Sequence, residues 1–161
     1  MKSGFRLGNI KFSINNKVKT TKDFFIKKRV TIFSLRDKLD SPKIISQLKN
    51  FEDYYDRIMK LGVHDVYFCN DNNFQTVKKK FNSASIKKIK ILPDENRNFT
   101  KHLGIAIKNS DNLDFNFMAI VTDGIIEKWW QDVKNNKIDD KKTFCSITNP
   151  ENCINYLSGT E

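Results

Sequence analysis

The feature that most restricts this chain is a buried strand followed at once by a capped helix and a second buried strand. Val30-Thr31-Ile32-Phe33-Ser34-Leu35 is apolar and β-branched, and a polar break from Arg36 to Asp40 ends it. Ser41-Pro42 then supplies a helix cap and a first helical position. Ile44, Leu48, Phe51, Tyr55 and Ile58 follow in steps of four, three, four and three, one face of an amphipathic helix that Leu61-Gly62 closes. Val63 to Cys69 is the next apolar run. Two strands joined by a helix must run parallel, because the crossover supplies the reversal. An all-β or all-helical architecture is thereby excluded.

The remainder extends this unit. Asn70-Asp71-Asn72-Asn73 is a polar turn rich in cap residues, and Phe74 to Phe81 reads as a short basic helix. Ile86 to Leu92 alternates apolar residues with Lys, as a strand with one wet face would, and Pro93-Asp94 closes it. Asn98 to Leu103 predicts one or two helical turns. Asn116 to Val121 and Ile125 to Trp130 predict a hairpin around Thr122-Asp123-Gly124, where Gly supplies a positive φ. In that hairpin Trp129 and Trp130 alternate, so one ring is expected in the core and the other facing outward. The stretch from Asn135 to Lys142 is a charged loop. Thr148-Asn149-Pro150-Glu151 has the pattern of a capping box before a last helix to about Leu157. The expected fold is α/β: a mixed central sheet with helices on both faces, of the thioredoxin-like kind.

Composition enters through size, charge and sulfur. The 161 residues are 39% hydrophobic with 13 Phe, enough for one core, so one domain over 1–161 is expected. The net charge is +10. It suits a phosphate-rich or anionic partner. It suits equally well a composition rich in Lys, Asn, Ile and Phe, because the cations run from Lys2 to Lys142 without gathering in one block. Lys78, Lys79, Lys80, Lys87, Lys88 and Lys90 are the densest group, read either as a nucleic-acid patch or as a solvated face. No apolar run approaches the ~18 residues of a membrane span, and no secretory h-region is visible, so a cytoplasmic protein is expected. The three cysteines, Cys69, Cys145 and Cys153, form no C-x-x-C, and reduced thiols suit their irregular spacing. Cys69 and Cys153 read as small buried hydrophobes. His64 and His102 stand without metal-ligand spacing, and no metal or cofactor is expected.

Five strings in order carry a family resemblance: Lys22 to Leu35, Leu61 to Tyr67, Leu92 to Thr100 with the pattern P-D-x-x-x-x-F-T, Phe117 to Ile126, and Asn149 to Leu157. Together they resemble the peroxiredoxins of the type-five branch, which includes glutaredoxin-linked and atypical two-cysteine enzymes. The resemblance covers about Phe12 to Leu157. It implies a thioredoxin-like fold, hydroperoxide reduction, a homodimer interface, and thioredoxin or glutaredoxin as partner where a thiol is active. It also implies a loop of the form P-x-x-x-T-x-x-C, whose cysteine sits at a helix start where backbone N–H groups favour the thiolate. A Thr and a later Arg position the peroxide.

This chain departs from that loop at every functional position. Without a gap, the Pro position falls on Arg36, the Thr on Asp40 and the Cys on Lys43; the late Arg aligns with Asn116 or Leu113. No cysteine precedes Cys69, in any register. Cys145 falls near the place of the family's resolving cysteine. The reading is therefore a redoxin without the peroxidatic cysteine, a non-catalytic homologue acting by binding. A divergent thiol enzyme using Cys145 or Cys69 stands as the second reading, and a basic nucleic-acid or ribonucleoprotein module as the third.

Overall fold

A computed structural model describes residues 4–108, 116–132 and 147–160. Three parallel strands form one half of its sheet: β4 (Arg29–Ser34), β5 (Asp65–Asn70) and β6 (Lys90–Pro93). Their crossovers are α2 (Pro42–Lys60) and α3 (Phe74–Ser83). After α4 (Asn98–Lys108) the chain returns to the other side of β4 with the antiparallel pair β7 (Phe117–Thr122) and β8 (Ile125–Gln131). A short β1 (Phe5–Arg6) pairs with β8, and the sheet order is β1-β8-β7-β4-β5-β6. Parallel strands joined by crossovers and an antiparallel hairpin make the mixed sheet that the sequence requires.

The strands are apolar on both sides because both faces are covered. On one face α2, α3 and α5 (Pro150–Ser158) pack on Phe33, Val66, Phe68 and Met118. Phe51 of α2 lies flat on Phe33 at a centroid distance of 3.8 Å. On the other face α1 (Thr21–Phe25), α4 and the hairpin β2 (Lys11–Ile14) and β3 (Lys17–Thr20) cover Val30, Ile32, Tyr67 and Leu92. Trp130 enters the first core and Trp129 lies half-buried against the second. The expected outward ring is therefore partly covered, since neither face of the sheet is left to water.

The two hairpins close in the same way. Asn15 and Asn16 have φ of 49° and 64°, and Asp123 and Gly124 have 51° and 77°. Two successive left-handed residues match the right-handed twist of the flanking strands. The second turn is also pinned from outside, because the Asp123 carboxylate accepts the Lys27 N–H at 2.7 Å.

Three boundaries differ from the sequence reading. The strand expected from Ile86 begins only at Lys90. The Glu52 carboxylate on α2 accepts the N–H groups of Lys87, Lys88 and Ile89 at 2.8, 3.0 and 3.1 Å, so those amides are satisfied without a neighbouring strand. α4 runs past Leu103 to Lys108, because burial of Phe99 and Leu103 carries it through Gly104, a poor residue for an isolated helix. The cap of α5 is Asn149 and not Thr148: Asn149 Oδ1 accepts the Asn152 N–H at 2.9 Å. Pro150 has no N–H and takes the first helical position, which puts the cap on the residue before it. The N-terminal hairpin and α1 have no counterpart in the sequence reading.

Candidate functional site

The aligned loop leaves the C-terminal end of β4 and enters α2. Ser41 caps the helix, its Oγ accepting the Lys43 N–H at 3.3 Å and donating to Asp37 Oδ2 at 3.0 Å. Asp37 Oδ1 also accepts the Lys38 N–H at 2.8 Å. Local polar groups thus build the turn, as expected for a cap followed by Pro. Lys43, half-buried, stands in the first helical turn, where its charge opposes the helix dipole.

The structure joins two of the four aligned positions directly. Asn116, buried at the entry to β7, accepts the Arg36 N–H on Oδ1 at 2.6 Å and donates from Nδ2 to Asp132 Oδ2 at 3.0 Å. Asp132 in turn accepts the N–H groups of Ile147 and Thr148 at 2.7 and 3.3 Å. Asn116 therefore ties the aligned loop to the segment before α5. Asp132 escaped the sequence reading because nothing in its local string marks it; only the hairpin brings it opposite Asn116. Arg36 and Asp40 are exposed.

Beside this loop lies a cavity of about 1150 Å³ at the C-terminal ends of β4 and β5. The loop contributes Arg36, Asp37, Lys38, Leu39 and Asp40 to its wall. The opposite wall is one face of α3, carrying Thr76, Lys79, Lys80 and Ser83 at helical spacing. Asn70 and Asp71 form the floor between them. Lys43 and Asn116 do not line it, so the cavity takes in two of the four aligned positions and adds residues that no single string marks. The sequence signal for it was the polar turn Asn70–Asn73 followed by a basic helix.

The thiols stand apart from this cavity. Cys69 is buried on the opposite face of β5, with Sγ 3.9 Å from both Asp94 Oδ2 and Thr100 Oγ1. Burial first, and the Asp94 charge second, push its thiol well above its ordinary range. Cys153, buried in α5 against Thr31, is pushed up by burial to about 11. Cys145, Leu113 and the loop from Asn135 to Lys142 lie outside the described residues. His64 Nδ1 accepts the Arg29 N–H at 3.0 Å, and His102 Nε2 accepts the Gly8 N–H at 2.7 Å. Among the described residues no group of three His, Cys, Asp or Glu is placed to hold a metal ion, and no helix is long and apolar enough to cross a membrane.

No protein-family model matches the chain. Among curated proteins it is similar to peroxiredoxin y4vD of Sinorhizobium fredii, 31% identical over 120 residues, covering 71% of this chain and 63% of that protein. It is likewise similar to a peroxiredoxin of Rhizobium etli, 31% identical over 119 residues, covering 71% of this chain and 66% of the relative. The chain thus spans just under two thirds of the length of these two relatives. Among solved structures, reduced Prx3 of Vibrio vulnificus in complex with hydrogen peroxide superposes with a TM-score of 0.76 at 19% identity, covering 98% of this chain and 96% of that one. That likeness shows the thioredoxin-like fold.

Proposed function

The chain belongs to the peroxiredoxin family, and we propose that it is a member without peroxidase chemistry, acting by binding. One observation carries this reading: the start of α2, where the resemblance puts the peroxidatic cysteine, holds Lys43, and no cysteine precedes Cys69. Peroxide reduction by this family needs an accessible thiolate at that place. The surroundings support the same reading. Arg36 and Asp40 face solvent, and Asn116 spends its amide on the Arg36 backbone and Asp132. The described thiols are buried and hold their protons at neutral pH, which makes them poor nucleophiles. A single thioredoxin-like domain over 1–161, a homodimer through the family interface and a cytoplasmic setting accompany this proposal.

The test is hydroperoxide consumption by the full chain, with thioredoxin and glutaredoxin systems supplying electrons. The expected result is no turnover above the rate without protein. Turnover that disappears in Cys145→Ser or Cys69→Ser would overturn the proposal in favour of a divergent thiol enzyme.

A further inference from the structure

We propose that the cavity between the Arg36–Asp40 loop and α3 is a binding site for a nucleoside phosphate. The inference rests on the reading that the chain acts by binding, and it names the chemical class of the ligand.

Charge is the first argument. Arg36, Lys38, Lys79 and Lys80 line the cavity, and among the described residues none of them makes an ion pair. The neighbouring basic residues behave differently: Lys88 pairs with Asp56 at 2.8 Å and Lys90 with Asp65 at 3.3 Å. Four cations without an ion pair on two facing walls, beside the carboxylates Asp37, Asp40 and Asp71, suit a phosphate group.

Asn70 is the second argument. It is 8% exposed, and it lies on the same side of β5 as Phe68, the side of α2 and α3. Its Oδ1 accepts both the backbone and the side-chain N–H of Asn72, at 2.9 and 2.8 Å. The backbone donor fixes which atom is oxygen, so the other is an NH₂ group. No described residue accepts from that NH₂. The residue is nearly buried while its NH₂ opens on the cavity, where an acceptor on a ligand can complete it in place of water.

Composition of the walls supplies the rest. Asp40 and Asp71 are exposed carboxylates that can accept from ribose hydroxyls, while Leu39 offers an apolar surface to a base. Phosphate, hydroxyls and an apolar ring occur together in a nucleoside phosphate. The volume of about 1150 Å³ lies just above the usual range of small-molecule pockets and far exceeds what a hydroperoxide requires.

The experiment is titration of the full chain at low ionic strength with ADP, adenosine, inorganic phosphate and a ten-residue single-stranded oligonucleotide, read by calorimetry and by the Asn70 side-chain amide resonance. Saturable ADP binding that shifts this resonance is expected, with adenosine and phosphate each at least tenfold weaker. Lys79→Ala/Lys80→Ala and Asn70→Asp should each weaken ADP at least tenfold. Lys19→Ala/Lys101→Ala, which removes the same charge from the other face of the sheet, should leave it unchanged. Absence of saturable ADP binding to the wild-type chain, equal affinity in the cavity variants, phosphate as tight as ADP, or binding of the oligonucleotide alone would each overturn the proposal. The resonance shift in the wild-type chain keeps the test decisive if a variant fails to fold. Peroxide consumption is read separately, so failure here is distinguishable from failure of the non-catalytic reading.

Discussion

Two turns on the same edge of the sheet carry opposite designs. Both leave the C-terminal end of a parallel strand and enter a helix. After β6, Asp94 is 4% exposed, and its carboxylate accepts from Phe99 N–H at 3.0 Å, Thr100 N–H at 2.9 Å and Thr100 Oγ1 at 2.6 Å. One buried side chain satisfies three donors and anchors α4. After β4 the corresponding work is done by Asp37 and Ser41 at the surface, and Arg36, Asp37, Lys38 and Asp40 are all exposed. The first turn belongs to the architecture. The second is tied at its start by Asn116 and otherwise capped by surface groups, and its side chains are available to solvent or a ligand. The difference leaves the residues of the loop after β4 free to vary while the Pro93 to Thr100 string keeps its place in the fold.

The comparison is broken most severely at Asp94. Asp94→Ala should cost about 3–4 kcal/mol in chemical denaturation, because the three donors lose their acceptor in a buried place. A loss below about 1 kcal/mol would show that water or neighbouring groups take over, and the contrast between the turns would fail.

Thiol reactivity sharpens it next. Cys69 packs against the buried turn, whereas Lys43→Cys would put a thiol at the start of α2. Labelling of the introduced cysteine with a thiol reagent at pH 7 should be at least about 100-fold faster than that of Cys69 or Cys153. Raising the pH should speed Cys153 about tenfold per unit and level off only above its pKa of about 11, because the thiolate fraction keeps growing until then. Similar rates at all three sites would mean that the buried turn opens as readily as the exposed one.

The smallest effect is expected at the surface cap. Ser41→Ala removes one acceptor that water can replace, and should cost about 0.5–1 kcal/mol. A cost equal to that of Asp94→Ala would erase the distinction between the two turns.

Much of this was legible along the chain. The apolar runs 30–35 and 63–69 and the helix face from Ile44 to Ile58 are local patterns, and a strand–helix–strand unit leaves the sheet no other direction. Boundaries differ where packing or a distant side chain intervenes. Glu52 caught the amides of Lys87 to Ile89, and burial of Phe99 and Leu103 extended α4. Lys43 was visible at a helix start because Ser41-Pro42 announces it. The cavity was not visible as a site, because Arg36, Asn70 and Lys79 come from a loop, a strand end and a helix with no common spacing.

What the sequence determined alone is therefore what depends on neighbours in the chain: the parallel unit, the caps, the Asp123-Gly124 turn, and the absence of any cysteine before Cys69. Tertiary structure decided what depends on partners far apart in it. It brought Asn116 to the Arg36 backbone, buried Cys69 on the face of β5 away from the cavity, and set Lys79 and Lys80 across from Arg36 and Lys38. The aligned loop after β4 was singled out for the cysteine it lacks. Its place beside a cationic cavity with an open amide donor on the floor came only from the packing of α3 against the sheet, since hydrogen bonds and charges act through space, and periodicity records only position along the chain.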